Sequence, residues 1–186
     1  MRKLAVTEFV SLDGVMESPH LWNSPFFDDE SGAYKFDELM HTDALLLGRV
    51  TYDAFAEAWP GRTDEAGFAD RFNSVPKYVV STTTSNPTWN NSHVISDDVV
   101  NAIRALKNED GEDIVIHGSG KLVNSLLGAG LIDEYRLMIS PVVVGSGQRL
   151  FPEGTVAPGF QLVSAKAFSR GNVMLTYRPA ATKAGS

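Results

Sequence analysis

A strand-to-helix junction, used twice, is the feature that most narrows what this chain can fold into. The apolar run Leu45-Leu46-Leu47 stops at Gly48, and a segment with a helical pattern follows at once with Arg49-Val50-Thr51-Tyr52-Asp53. The β-branched run Ile114–Ile116 likewise reaches His117-Gly118-Ser119-Gly120-Lys121 and opens another helical segment. Apolar strands that hand over to helices in this way build a largely parallel sheet with helical crossovers. Each junction also sets helix N-terminal N–H groups at a strand's carboxyl end, an arrangement that favours an anion such as phosphate. At the first, glycine permits close approach, Arg49 can grip two phosphate oxygens through its planar fork, and the Thr51 hydroxyl can donate. The same residues also read as an ordinary strand–helix turn with a solvated arginine.

The remaining pattern agrees with an α/β domain. Runs at Lys3–Val10, Ala44–Leu47, Lys77–Ser81, Ile114–Ile116, Tyr135–Ile139 and Asn172–Tyr177 predict strands, and Thr51–Trp59, Asp97–Lys107 and Ser119–Leu127 predict helices, the second capped by Asp97. The helix-free stretch from Tyr135 onward predicts closing antiparallel strands, so the sheet is mixed. With 186 residues the chain fits one domain, residues 1–179, large enough for a core without staples, followed by a frayed tail, 180–186. The absence of cysteine excludes disulfides and thiolate zinc sites and fits a reducing cytosol. The opening residues lack the uninterrupted apolar stretch of a signal peptide or membrane span, so a cytoplasmic location and no membrane partner are expected. A net charge of -7 with the basic residues scattered argues against nucleic acid as a partner. Any phosphate held here belongs to a small molecule.

Other candidate chemistry is thinner. The loop Ser11–Ser31 carries Trp22, Phe26 and Phe27 among Ser, Pro, Asp and Gly, and reads either as a lid over a binding site or as a surface loop pinned by its aromatics. A nucleotide-triphosphate P-loop would need glycine at Val115. His117-Gly118-Ser119-Gly120 echoes an esterase oxyanion segment, but no G-x-S-x-G elbow accompanies it. The four histidines have no metal-ligand spacing, so no metal is expected. Val144-Gly145-Ser146-Gly147 reads as a plain turn.

In order and spacing, SLDG (Ser11–Gly14), LLGRVTYD (Leu46–Asp53), KYVVST (Lys77–Thr82), HGSGKL (His117–Leu122), LIDEYRL (Leu131–Leu137) and PVVVGSGQRLF (Pro141–Phe151) resemble the C-terminal reductase domain of the bifunctional riboflavin-biosynthesis deaminase-reductase. The likeness runs from Lys3 to about Arg178. It implies the dihydrofolate-reductase fold, a three-layer sandwich with a mixed, mostly parallel sheet and helices on both faces. It further implies NADPH as cofactor, with Gly48, Arg49 and Thr51 at its phosphates and Ser81 and Thr82 at the adenosine 2′-phosphate. Gly118, Ser119 and Gly120 would cradle the pyrophosphate, and Asp13 and Gly14 would lie in a mobile loop beside the nicotinamide.

The chain departs from that pattern in places. Classical dihydrofolate reductases have paired glycines where His117-Gly118 stands, and their buried acid after the first loop has only Asp28, Asp29 and Glu30 as loose counterparts. The fused zinc deaminase needs cysteine ligands, which this chain lacks. The resemblance therefore implies a stand-alone NADPH-dependent reductase acting on a small heterocyclic or carbonyl/imine substrate and forming a homodimer. Trp22, Phe26 and Phe27 are then candidate substrate faces, and Asp28–Glu30 candidate proton donors. A nucleotide-binding module without turnover and a dihydrofolate reductase are the alternatives.

Overall fold

The computed structural model describes residues 1–157 and 159–180. In chain order the elements are β1 (Leu4–Ser11), α1 (Asp29–Met40), β2 (Thr42–Gly48), α2 (Arg49–Ala58), α3 (Phe68–Ser74), β3 (Lys77–Val80), β4 (Ser92–Ile95), α4 (Val99–Asn108), β5 (Asp113–His117), α5 (Gly120–Leu127), β6 (Glu134–Ser140), β7 (Phe160–Ala167) and β8 (Val173–Pro179). The eight strands form one sheet in the order β4-β3-β2-β5-β1-β6-β8-β7. Neighbours from β4 to β6 run parallel, and β8 is antiparallel to both β6 and β7. The sheet is mixed and mostly parallel, as the junctions require, but β6 belongs to its parallel part and only β7 and β8 close it antiparallel.

Helices cover both faces. Leu4, Val6, Leu46, Ile114 and Ile116 point to one face and meet Ile103 and Leu106 of α4 and Leu122, Val123 and Leu126 of α5. Leu45, Leu47 and Val79 point to the other and meet Leu39 of α1, Tyr52 of α2 and Phe72 of α3. Burial of these side chains is the main favourable term holding the three layers together.

Several elements differ from expectation. The strand β4, the edge strand β7 and the helices α1 and α3 were absent from the sequence reading. Asp98, not Asp97, precedes α4; it is left-handed (φ 39°) and makes no side-chain cap bond, its carboxylate instead accepting from Asn101. Within the long first loop, two short 3-10 turns (Pro19–Leu21 and Ser24–Phe26) order the chain. The expected tail, apart from Ala180, lies outside the described residues.

Candidate functional site

Because β2 and β5 are parallel neighbours, Gly48 and Gly118 reach the same sheet edge, and the two junctions lock together. The Gly48 amide donates to Ser119 Oγ at 2.9 Å, and the Ser119 amide donates to Thr51 Oγ1 at 3.0 Å. Ser119 Oγ in turn donates to the His117 carbonyl at 3.0 Å. Gly118 and Ser119 both adopt positive φ, 55° and 63°. A Cβ on Gly118 would lie 3.0 Å from Thr51 Oγ1, so glycine is needed there for close approach as well as for backbone conformation.

Two amides expected to face a ligand, those of Gly48 and Ser119, are therefore taken up inside the protein. The first intrahelical bond of α5 runs from the Val123 amide to Ser119 O at 3.0 Å, which leaves the Gly120, Lys121 and Leu122 amides ahead of it as donors toward the edge. Thr51 Oγ1 accepts from Ser119 and keeps its own proton to give. Gly120 owes its small size to the protein itself: a Cβ there would meet Met16 Sδ at 2.8 Å and Gln148 Nε2 at 3.1 Å. Arg49 is half exposed and pairs with Asp53 at 3.0 Å, so it must change partner to meet a phosphate. Beyond β3, Ser81 is buried, and its Oγ accepts from the Thr83 and Thr84 amides at 3.2 and 3.0 Å. Thr82 beside it is exposed.

The SLDG segment is anchored. Asp13 accepts from the Val144 and Gly145 amides at 3.0 and 2.8 Å and from Ser11 Oγ at 2.7 Å. These bonds hold its carboxyl down to about 2. Gly14 (φ 85°) turns the chain, after which Val15 bridges Arg149, Met16 donates to the Gln148 carbonyl at 2.9 Å and Leu150 to the Gly14 carbonyl at 3.1 Å. The mobile loop expected here is thus tied to the Val144–Gly147 turn, whose glycine cluster has a definite use: a Cβ on Gly147 would lie 2.9 Å from Val15.

The proposed proton donors have other duties. Asp28 is the N-cap of α1, accepting from the Ser31 amide at 2.8 Å and from Ser169 Oγ at 2.7 Å. The Ser169 and Ser31 hydrogen bonds hold it well below the usual carboxylate range, so it is ionised at neutral pH with no proton to give. Asp29 and Glu30 are exposed in the first turn, where acidic side chains favour the helix dipole. Of the aromatics, Trp22 Nε1 donates to the Glu17 carbonyl at 2.9 Å, Phe26 closes a 3-10 turn, and Phe27 sits edge-on to Phe9, centroids 6.0 Å apart.

A buried polar cluster escaped the sequence reading. On the face covered by α1, Lys35 donates to Thr7 Oγ1 at 2.7 Å and pairs with Glu38. Arg136 binds Glu134 at 2.8 Å, Asp113 at 2.5 Å and Glu38 at 3.5 Å. His117 ends β5 on this face, its ring against Phe55 and Phe72. Loss of hydration, with Lys35 adding to it, Glu38 opposing and Arg136 adding again, brings the imidazole down to about 3, so it is neutral at pH 7. Helical spacing in α1 was the available signal, with Ser31, Lys35 and Glu38 on one stripe. Among the described residues no group of three or more His, Asp or Glu side chains is arranged to hold a metal ion, and no helix is long and apolar enough to cross a membrane.

Comparison with known proteins places this architecture. The model of the RibD C-terminal domain matches residues 2–174. The uncharacterized protein YyaP of Bacillus subtilis is 31% identical over 182 residues, covering 95% of this chain and 94% of its own length. A putative riboflavin biosynthesis protein from Shewanella sp. PV-4 superposes with a TM-score of 0.76 at 22% identity, covering 96% of this chain and 99% of that one. The diaminohydroxyphosphoribosylaminopyrimidine deaminase/5-amino-6-(5-phosphoribosylamino)uracil reductase of Thermotoga maritima gives 0.67 at 19% identity, with 96% of this chain matching 57% of the longer enzyme. Dihydrofolate reductase from Enterococcus faecalis, complexed with NADP(H), gives 0.60 at 15% identity over 95% of each chain. The fold is therefore the dihydrofolate-reductase-like three-layer sandwich, and the chain belongs to the RibD C-terminal domain family.

Proposed function

We propose that this protein is an NADPH-dependent reductase that transfers a hydride to a small heterocyclic or carbonyl/imine substrate, in the manner of 5-amino-6-(5-phosphoribosylamino)uracil reductase. One observation carries the reading. Two adjacent parallel strands bring two helix N-termini, the Thr51 hydroxyl and the Arg49 guanidinium to one sheet edge, where ligands of open α/β sheets gather. The family and the NADP(H)-bound fold relative support the choice of dinucleotide.

The residues suit that group. The first-turn amides of α5 would take the pyrophosphate, and Arg49, released from Asp53, the 2′-phosphate beside Ser81 and Thr82. NADPH supplies the hydride; the chain binds, orients and excludes water. Substrate would lie on the α1 side of the sheet, against His117 and the Phe9–Phe27 pair. With Asp28 ionised, a water at this face would supply the proton to the reduced product.

Titration with NADPH and NADH, followed by a screen of pyrimidine, pterin and simple carbonyl substrates for NADPH oxidation, tests the reading. Tighter binding of NADPH with turnover of one substrate class is expected. Failure to bind either dinucleotide would reject it, and tight NADPH binding without turnover across the screen would leave a binding module.

A further inference from the structure

Glu8 is a carboxylic acid in an apolar row. By the alternation of β1, Leu4, Val6, Glu8 and Val10 share one face, and the other three belong to the core beneath α4 and α5. Glu8 is only 6% exposed. It stands one residue beyond the Thr7–His117 pair of the β1–β5 ladder, level with Gly118. The Gly118 amide lies against its carboxyl, but Oε1 has no hydrogen-bond partner among the described residues. Burial pushes the carboxyl well above the usual carboxylate range; Lys35 and the Gly118 amide pull it back, and Glu38 adds to the rise. A buried oxygen left open in this way calls for a partner from outside the chain.

Strand order indicates which partner. From β3 through β2 and β5 to β1 is three steps of about 4.8 Å, and these strands carry in turn Ser81 and Thr82, then Arg49 and Thr51, then the Gly118–Gly120 turn, then Glu8. With the 2′-phosphate toward β3 and the pyrophosphate at α5, the remaining end of a dinucleotide arrives at β1. Phosphates offer only acceptors and negative charge, a poor match for a carboxyl. The nicotinamide end carries a carboxamide, whose donor and acceptor complement a carboxyl group.

We propose that Glu8 is a positioning residue for the cofactor, its open Oε1 hydrogen-bonding the nicotinamide carboxamide and so fixing the orientation of the ring. This inference rests on the NADP reading of the site. Calorimetric titration of the parent, Glu8→Leu and Glu8→Gln with NADPH and with 2′-phospho-ADP-ribose, which lacks the ring, separates the two ideas. Glu8→Leu is expected to lose about tenfold in NADPH affinity, the equivalent of one hydrogen bond, and nothing for 2′-phospho-ADP-ribose. Glu8→Gln, which keeps an oxygen, should stay within about threefold of the parent, given the tolerance of a shared geometry. Unchanged NADPH binding by Glu8→Leu overturns the proposal, as does equal loss of both ligands, which would mark a merely structural role. The parent should also prefer NADP over its 3-acetylpyridine analogue, in which a methyl ketone replaces the carboxamide. Equal affinity for those two in the parent counts against the proposal even if Glu8→Leu fails to fold. A parent that binds neither NADPH nor 2′-phospho-ADP-ribose removes the NADP reading and this proposal with it.

Discussion

Ser119 Oγ accepts the amide proton of Gly48 at 2.9 Å across 71 positions of sequence, so the two strand–helix junctions form one unit. Ser119→Ala should leave that partly buried amide unpaired and destabilise the protein by about 1–3 kcal/mol. Urea unfolding checks this. NADPH binding should weaken along with it, because the Gly118–Gly120 turn loses its hold on the Gly48 amide while keeping only the Ser119 amide bond to Thr51.

Arg49 and Asp53 are each about half exposed, and a phosphate must compete with Asp53 for the guanidinium. Arg49→Ala should weaken NADPH binding by about 1.5–3 kcal/mol and NADH binding far less. Asp53→Asn, by freeing Arg49, should tighten NADPH binding by up to about 1 kcal/mol, the scale of an exposed pair. Equilibrium titrations at low salt read both, and the NADPH preference should shrink as salt rises.

Asp13 gives the acid side of the stability curve a recognisable contribution. Its folded-state carboxyl lies at about 2 against an ordinary 3.8, so the stabilisation is complete above the ordinary value and is lost as pH falls through the folded one. Thermal unfolding of the parent and of Asp13→Asn should therefore differ most at neutral pH and converge between about pH 4 and pH 2. A constant difference across that window would deny Asp13 its anchoring role.

Arg136 sits among Glu38, Asp113 and Glu134. Arg136→Met leaves three carboxylates facing one another with Lys35, Lys3 and Arg178 as the remaining cations. A loss of about 3–5 kcal/mol is expected, the cost of breaking a buried ionic set by removing one partner. Denaturant midpoints measure it.

The outer edge of β7 ends the sheet, and Leu162 and Val163 there are 51% and 46% exposed. An open edge is a template for pairing with another chain. Light scattering should give about twice the 20.2 kDa chain mass, and Leu162→Lys should halve it; a monomer mass for the parent at about 50 μM, a concentration well above the Kd of a stable dimer, would exclude the dimer.

The parallel core was legible because β2 and β5 are apolar runs punctuated by glycine. Elements that carry polar side chains inward or expose both faces were not. The inward stripe of α1 is Ser31, Lys35 and Glu38, which reads as solvent-facing until Thr7 and Arg136 are found opposite it. β7 is exposed along almost its whole length and so shows no alternation of burial, and β4 is four residues long at the end of a polar loop. In the site, the positions of Gly48, Thr51 and the Gly118–Gly120 turn followed from local pattern. Asp28 did not, since only the folded chain brings Ser169 and Arg170 onto its carboxylate. Glu8 was hidden inside a strand otherwise read as plain.

The first strand made is among the last to find its neighbours. Ala5 pairs with Val115 on one side and Glu134 on the other, so β1 has no sheet partner until β5 has left the ribosome and lacks its second until β6 has. At about 5–20 residues per second that is on the order of ten seconds of waiting. During that interval an eight-residue strand with five apolar side chains stands open to association with other chains. Refolding from denaturant should accordingly be slow for the chain's size, as long-range parallel pairing dictates, and its yield should fall as protein concentration rises.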